Sequence, residues 1–265
     1  MRHPRIFLAA AVAACLAAAA APAAAADPRY LPFPPGASPP ACAVHECAVV
    51  DIVESPADWR LPVLTFEAGG AAPRVRLRVI PSLDPKGVFL SVLEGGREVL
   101  SPQLVARRPR TERAVYWADL NGDHRPDFVV FVWSGQPGLE AAMANVAFVL
   151  SAPGGYEVSV VRTWYPDPRD FLDLRADGTC RFLHVALVRG ERGRDGRRHN
   201  YWVYNLLGFN GGDVVLDNGG APEFPAWIQF KRRENHRPTD QLTDEQKARL
   251  WRPFEKGLVL KPRRS

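Results

Sequence analysis

The chain has 265 residues, with Lys+Arg 34 against Asp+Glu 29 for a formal net charge of +5. The excess is mild, the arginines are scattered apart from Arg189 to Arg198, and no stacking motif interleaves them, which argues against nucleic acid as a partner. The length suits one large or two small domains with a proper core. Beyond the N-terminus no stretch is long and apolar enough to span a bilayer.

Residues 1–26 have the order of a targeting segment: Arg2 and Arg5, an apolar run from Ile6 to about Ala21, then Pro22 and Ala24-Ala25-Ala26. Cleavage before Asp27 is expected, leaving an exported chain, periplasmic or secreted. Val12-Ala-Ala-Cys15 also resembles a lipobox, so a lipid anchor at Cys15 is the alternative. Residues 27–41 form a Pro-dense, extended linker. Cysteines follow at 42, 47 and 180, an odd count for an oxidising compartment. The expected disulfide joins Cys42 to Cys47 through a turn at 43–46, and the rival takes one of them to Cys180. Held as a strand, Cys42 and Cys47 stand about 16 Å apart, beyond disulfide reach. Cys42, His45 and Cys47 as a metal set lack a fourth ligand.

Residues 42–112 form an N-terminal β region of short strands and turns. Arg74-Val-Arg-Leu-Arg-Val-Ile80 alternates, with Val75, Leu77 and Val79 on one face and a solvated arginine face opposite. Gly87 to Leu93 is a second strand, turned at Glu94-Gly-Gly.

The segment from Ala118 to Trp133 differs from everything before it. Counting Asp119 as position 1, side-chain oxygens fall at 1 (Asp119), 3 (Asn121), 5 (Asp123) and 9 (Asp127), and Arg125 at position 7 offers its backbone carbonyl. A hard cation takes about six to eight oxygens, and a tight loop with alternate residues turned inward supplies them, so Ca2+ is the expected ion. An ordinary turn uses the same residue types. Position 12 is Val130 where an EF-hand needs a bidentate Glu, and Phe128-Val-Val-Phe-Val-Trp133 is a strand buried on both faces.

Asp-Leu-Asn-Gly-Asp-x-x-x-Asp-Phe-Val-Val resembles the calcium loop of FG-GAP/VCBS-type repeats, the blades of integrin-α-like β-propellers. The resemblance covers about sixteen residues. It implies a calcium loop ahead of a blade strand, with Asp119, Asn121, Asp123, the Arg125 carbonyl and Asp127 as ligands. The family has Gly at position 6, where this chain has His124. The turn then needs a positive φ that His adopts at some cost, and the affinity is expected to fall below the family's.

Leu172-Asp-Leu-Arg-Ala-Asp-Gly-Thr-Cys-Arg-Phe repeats the pattern, with Asp173, Asp177 and Phe182 matching Asp119, Asp123 and Phe128. The strand 145–150 with Gly154-Gly155 parallels 200–205 with Gly211-Gly212, a period of about 54 residues. Arg175 and Arg181 replace Asn121 and Asp127, so the second copy is read as a corner without metal. Asp167 and Asp170 are turn and surface residues in this reading. The expected fold is all-β: propeller-like or partial-propeller antiparallel repeats over 113–242, closed by a short C-terminal helix and basic tail over 243–265. Thr243-Asp-Glu-Gln246 is its capping box, Leu250 and Trp251 its docking residues, and Pro253 its stop.

Catalytic signatures are missing: no Gly-x-Ser-x-Gly elbow, no His-Glu-x-x-His helix, no phosphate loop. His184 reads as a core histidine, and His199, His236 and Asp170 could converge only through the fold. The Gly-rich loop 189–199 is a solvated one, and Tyr201-Trp-Val-Tyr204 packs between sheets in preference to forming a glycan platform. The sequence therefore points to a calcium-binding, non-catalytic interaction module with an unidentified protein or glycan partner. Behind it stand an envelope inhibitor or immunity-type protein directed at a cell-wall hydrolase, and a hydrolase of extracellular polymers.

Overall fold

The computed structural model describes residues 39–54, 62–69, 74–83, 86–107, 109–134, 138–176, 178–192, 196–220 and 224–229. The targeting segment, most of the Pro-rich linker, Cys15, His236 and the C-terminal helix lie outside the described residues.

The described chain is all-β. It enters through β1 (His45–Glu46) and runs on into β2 (Ala48–Val53), β3 (Val63–Glu67), β4 (Val75–Leu83), β5 (Lys86–Glu94) and β6 (Arg97–Arg107). Strands β2 to β6 make a five-stranded antiparallel sheet in chain order. Next come β7 (Pro109–Ala118), β8 (Asp127–Ser134), β9 (Met143–Ala152) and β10 (Gly155–Trp164), a second antiparallel meander with β1 on its β7 edge. The third sheet runs β11 (Phe171–Leu172), β12 (Arg181–Arg192), β13 (Arg198–Asn210) and β14 (Asp213–Leu216), with β15 (Ala226–Gln229) also paired to β13. These are three blade-like sheets laid down one after another, and none closes into a barrel.

Alternation on β4 places Val75, Leu77 and Val79 in the core, while Arg76 on the outer face donates to Glu67 at 2.7 Å. On β8 both faces are buried. Phe128, Val130 and Val132 pack against the first sheet, and Val129 and Phe131 against the third. The apolar run was therefore required by its place in the middle layer. Phe148, Phe171, Phe182 and Phe209 fill the second interface, with Phe148 centred 5.3 Å from Phe182 and 5.1 Å from Phe209.

Two glycine turns seat each sheet on the one before. A Cβ on Gly155 would stand 2.8 Å from the Val99 carbonyl, and one on Gly212 would stand 2.8 Å from the Glu157 side chain. Such approach admits only glycine.

The N-terminal segment is a strap across all three sheets. Asp173 N–H donates to the Pro40 carbonyl and Cys42 N–H to that of Phe171, both at 2.9 Å, which fixes the strap to the third sheet. His45 and Glu46 pair with Trp117 and Tyr116 of the second, and β2 pairs with β3 of the first. This extended path corrects the expected disulfide. Cys42 bonds Cys180, with Cα atoms 5.9 Å apart, and Cys47 is left a free, buried thiol. No turn forms at 43–46, so the two near cysteines never meet. Cys47 N–H donates to Val115, and burial pushes its thiol up to about 12.

Tyr201, Trp202 and Tyr204 are buried, Tyr201 beside Trp227 and Trp202 beside Trp164, each pair 5.3 Å between centroids. They are packing residues, not an exposed platform.

Candidate functional site

The loop between β7 and β8 carries the five expected ligand positions, and its shape follows from its own carboxylates. Asp119 Oδ1 accepts from the N–H groups of Gly122 (2.8 Å) and Asp123 (3.1 Å), and its Oδ2 from His124 N–H (3.0 Å). Asp123 Oδ1 accepts from Arg125 N–H at 2.9 Å, and Asn121 Oδ1 from Asp123 N–H at 3.2 Å. The chain can wrap this tightly because Gly122 (φ 77) and His124 (φ 64) are both left-handed. The positive φ foreseen at position 6 is therefore present, carried by a histidine.

Asp127 behaves differently. It opens β8, is fully buried, accepts from the N–H groups of Leu120 (2.7 Å), Asn121 (3.3 Å) and Ser151 (2.7 Å), and competes with Asp123 for the one Ser151 hydroxyl hydrogen (Oγ at 2.9 Å). An ionised carboxylate has about four lone-pair sites, so position 9 is spent on the protein itself. Burial pushes its carboxyl up to about 6 against those hydrogen bonds, with Asp123 adding to the rise.

The corner ties three sheets together. Arg125 reaches the Ala152 carbonyl (3.1 Å) and Glu94 of the first sheet (3.4 Å), with its guanidinium 5.1 Å from the Tyr156 ring centre. Asn121 Nδ2 donates to the Ser151 carbonyl (2.8 Å) and to that of Gly211 in the third sheet (3.2 Å). Ser151 Oγ–H also lies 2.7 Å from Asp123 Oδ2.

As a cation cradle the loop fits in part. Asp119 Oδ2, both Asp123 oxygens and Asn121 Oδ1 each keep a lone pair, and these hard oxygens have calcium's donor chemistry. Among the described residues, however, no group of three or more His, Cys, Asp or Glu side chains is gathered as a metal set. The reason is visible: the carboxylates turn toward backbone N–H groups and Ser151.

On either side of position 177, the loop after β11 shares features with the first. Ala176 (φ 51) and Gly178 (φ 77) are left-handed at positions 4 and 6, and Asp173 Oδ2 accepts from Gly178 N–H at 3.1 Å. Asp177 lies outside the described residues. The two cations converge on one carboxylate, Arg181 Nε at 2.7 Å and Arg175 Nη2 at 3.3 Å from Asp217. An ion cluster built from side chains stands at this corner.

Beside the first loop, Gly69, Trp117, Asp119, His124, Arg125 and Pro126 line a pocket of about 250 Å³. The other sequence candidates are dispersed. His184 is buried on β12 opposite Asn205, its Nε2 3.0 Å from the Arg162 carbonyl, and burial lowers its pKa to about 4. His199 pairs across the sheet with Glu191, and Asp170 accepts from Asp167 N–H within the 3-10 turn Pro168–Asp170. Asp167 caps that turn. Sequence reasoning missed Ser151, Glu94, Gly211 and Asp217, which carry no motif and become partners only through sheet packing.

Neither family models, curated proteins nor solved structures give a match to this chain.

Proposed function

We propose that the protein is an exported, non-catalytic β-sheet binding module whose corner loop takes up calcium. The observation that carries the reading is the loop itself: Asp119, Asn121 and Asp123 present free oxygen lone pairs on one tight turn at the meeting point of three sheets. In this reading Asp119, Asn121, Asp123 and the Arg125 carbonyl hold the ion. Asp127 is the buried anchor that fixes the loop to Ser151. Calcium supplies a positive charge to a corner rich in carboxylates, so it stiffens the junction from which outer loops meet a partner.

Export accords with the disulfide, which persists in oxidising compartments. No helix among the described residues is long and apolar enough to cross a membrane.

The test is a thermal melt of the mature protein in calcium and in chelator, with Asp123→Ala alongside. Calcium should raise the wild-type Tm by mass action and leave the variant unmoved. Identical melts in both solutions would contradict the reading.

A further inference from the structure

Strand β2 lies at the edge of the first sheet. It pairs with β3 on one side, and no described residue pairs with its other edge. All six of its residues are exposed, and four carry large apolar side chains: Val49 (46%), Val50 (45%), Ile52 (64%) and Val53 (51%). Val49 and Ile52 stand opposite Phe66 and Leu64, so they carry the core-packing face of the sheet out into solvent. An edge of this kind is a template for a further strand, and proteins blunt such edges with lysine, proline or a cover. β2 contains neither residue. Its one irregularity is the bulge that leaves Val50 out of register between Val49 and Asp51.

Charge decides what the edge fits. From Ala41 to Trp59 the sequence has no Lys or Arg, in a protein of net charge +5. Elsewhere carboxylates meet arginines: Glu67 with Arg76, Glu94 with Arg125 and Asp217 with Arg181. Glu46, Asp51 and Glu54 are all exposed, and none of the three has an ion-pair partner among the described residues. Extended, this stretch covers about 26 Å, the length of a short peptide strand. A second copy of the chain would bring the same carboxylates and the same bulge to the seam, and like charges on adjacent strands repel. A basic strand complements the edge.

We infer that the free edge of β2 takes up an extended, basic segment of a partner protein as an added strand. Its apolar side chains lie beside Val49 and Ile52, and its Lys or Arg residues meet Asp51 and Glu54. The inference rests on the protein being a binding module; it does not require calcium in the loop.

The experiment begins with a display library of random short peptides, selected on the immobilised mature protein in chelator. The recovered peptides should alternate apolar residues with Lys or Arg. A synthetic copy of the most frequent one should bind in fluorescence anisotropy, about tenfold more weakly to Asp51→Lys and to Ile52→Thr. Added salt should weaken it too, because the paired charges are exposed. Both substituted side chains are exposed, so each variant should melt with the wild type. Hydrogen exchange should find β2 amides that are fast in the free protein and slowed by the peptide, with the β8 amides unchanged. Recovered peptides without basic residues, or full affinity in Asp51→Lys, overturn the inference. So does full protection of β2 without peptide: a dimer in light scattering then assigns the edge to a second copy, and a monomer assigns it to the chain's own cover. The calcium melt is read separately, so failure of that reading and failure of this one are distinguished.

Discussion

Breaking the Cys42–Cys180 bond should release the strap from the third sheet. The two cysteines are 138 residues apart. Closing a loop of that length removes denatured-chain entropy equivalent to about 5 kcal/mol. That figure is an upper bound on the effect, because residual structure in the unfolded chain reduces it. The Cys42→Ala/Cys180→Ala variant should therefore lose several kcal/mol in urea unfolding, taken from the midpoint and slope together, with a steeper slope because the uncross-linked denatured chain exposes more surface. Cys47 should not substitute, since it is buried in the other interface. Hydrogen exchange should locate the damage. The Cys42 and Asp173 amides, bonded to Phe171 and Pro40, should lose protection while the β8 amides keep theirs. Two results would refute the reasoning: a Cys42–Cys47 peptide in non-reducing mass mapping, or a double variant as stable as wild type.

Further expectations concern the third sheet. Asp217→Ala should destabilise by about 1–3 kcal/mol, because it strands the buried Arg181 guanidinium. Arg181→Met should cost less, having removed the charge itself; equal losses in urea melts would count against this. His184 has a folded pKa of about 4 against the ordinary 6.5. Its stabilisation is complete above pH 6.5 and is lost as pH falls toward 4, on the order of 3 kcal/mol in all. Asp127 works in the opposite sense. Its raised folded value of about 6 means that this group favours the fold increasingly as pH drops from 6 toward the ordinary carboxyl value of 3.8. The His184 contribution is therefore read as the difference between wild type and His184→Gln across this range, which should shrink on acidification. A constant difference would show that His184 does not titrate with unfolding.

Some of this was legible in the sequence because it is local. The run 128–133 is apolar at every position, and only a strand between two layers needs that. The need for a positive φ at position 6 follows from the resemblance, whose loops carry glycine there, and His124 meets it. Cysteine pairing was not legible, because it depends on where the strap lies after three sheets have formed. Position 9 shows the limit most clearly. Asp127 has the spacing of a ligand, yet Ser151, with no sequence signal, sets both its N–H and its hydroxyl against Asp127 Oδ1. The second loop teaches the same lesson: Arg175 and Arg181 were plain in the sequence, while Asp217, their common partner, was invisible until β14 was placed.

The most direct test of the account is an isothermal titration of calcium into the chelator-treated mature protein, beside Asp123→Ala and Asp127→Asn. One site per chain is expected, abolished in Asp123→Ala. In Asp127→Asn the site should be retained but weakened, because an anchor and not a ligand has been altered. No calcium heat in the wild type, or full binding in Asp123→Ala, would contradict it.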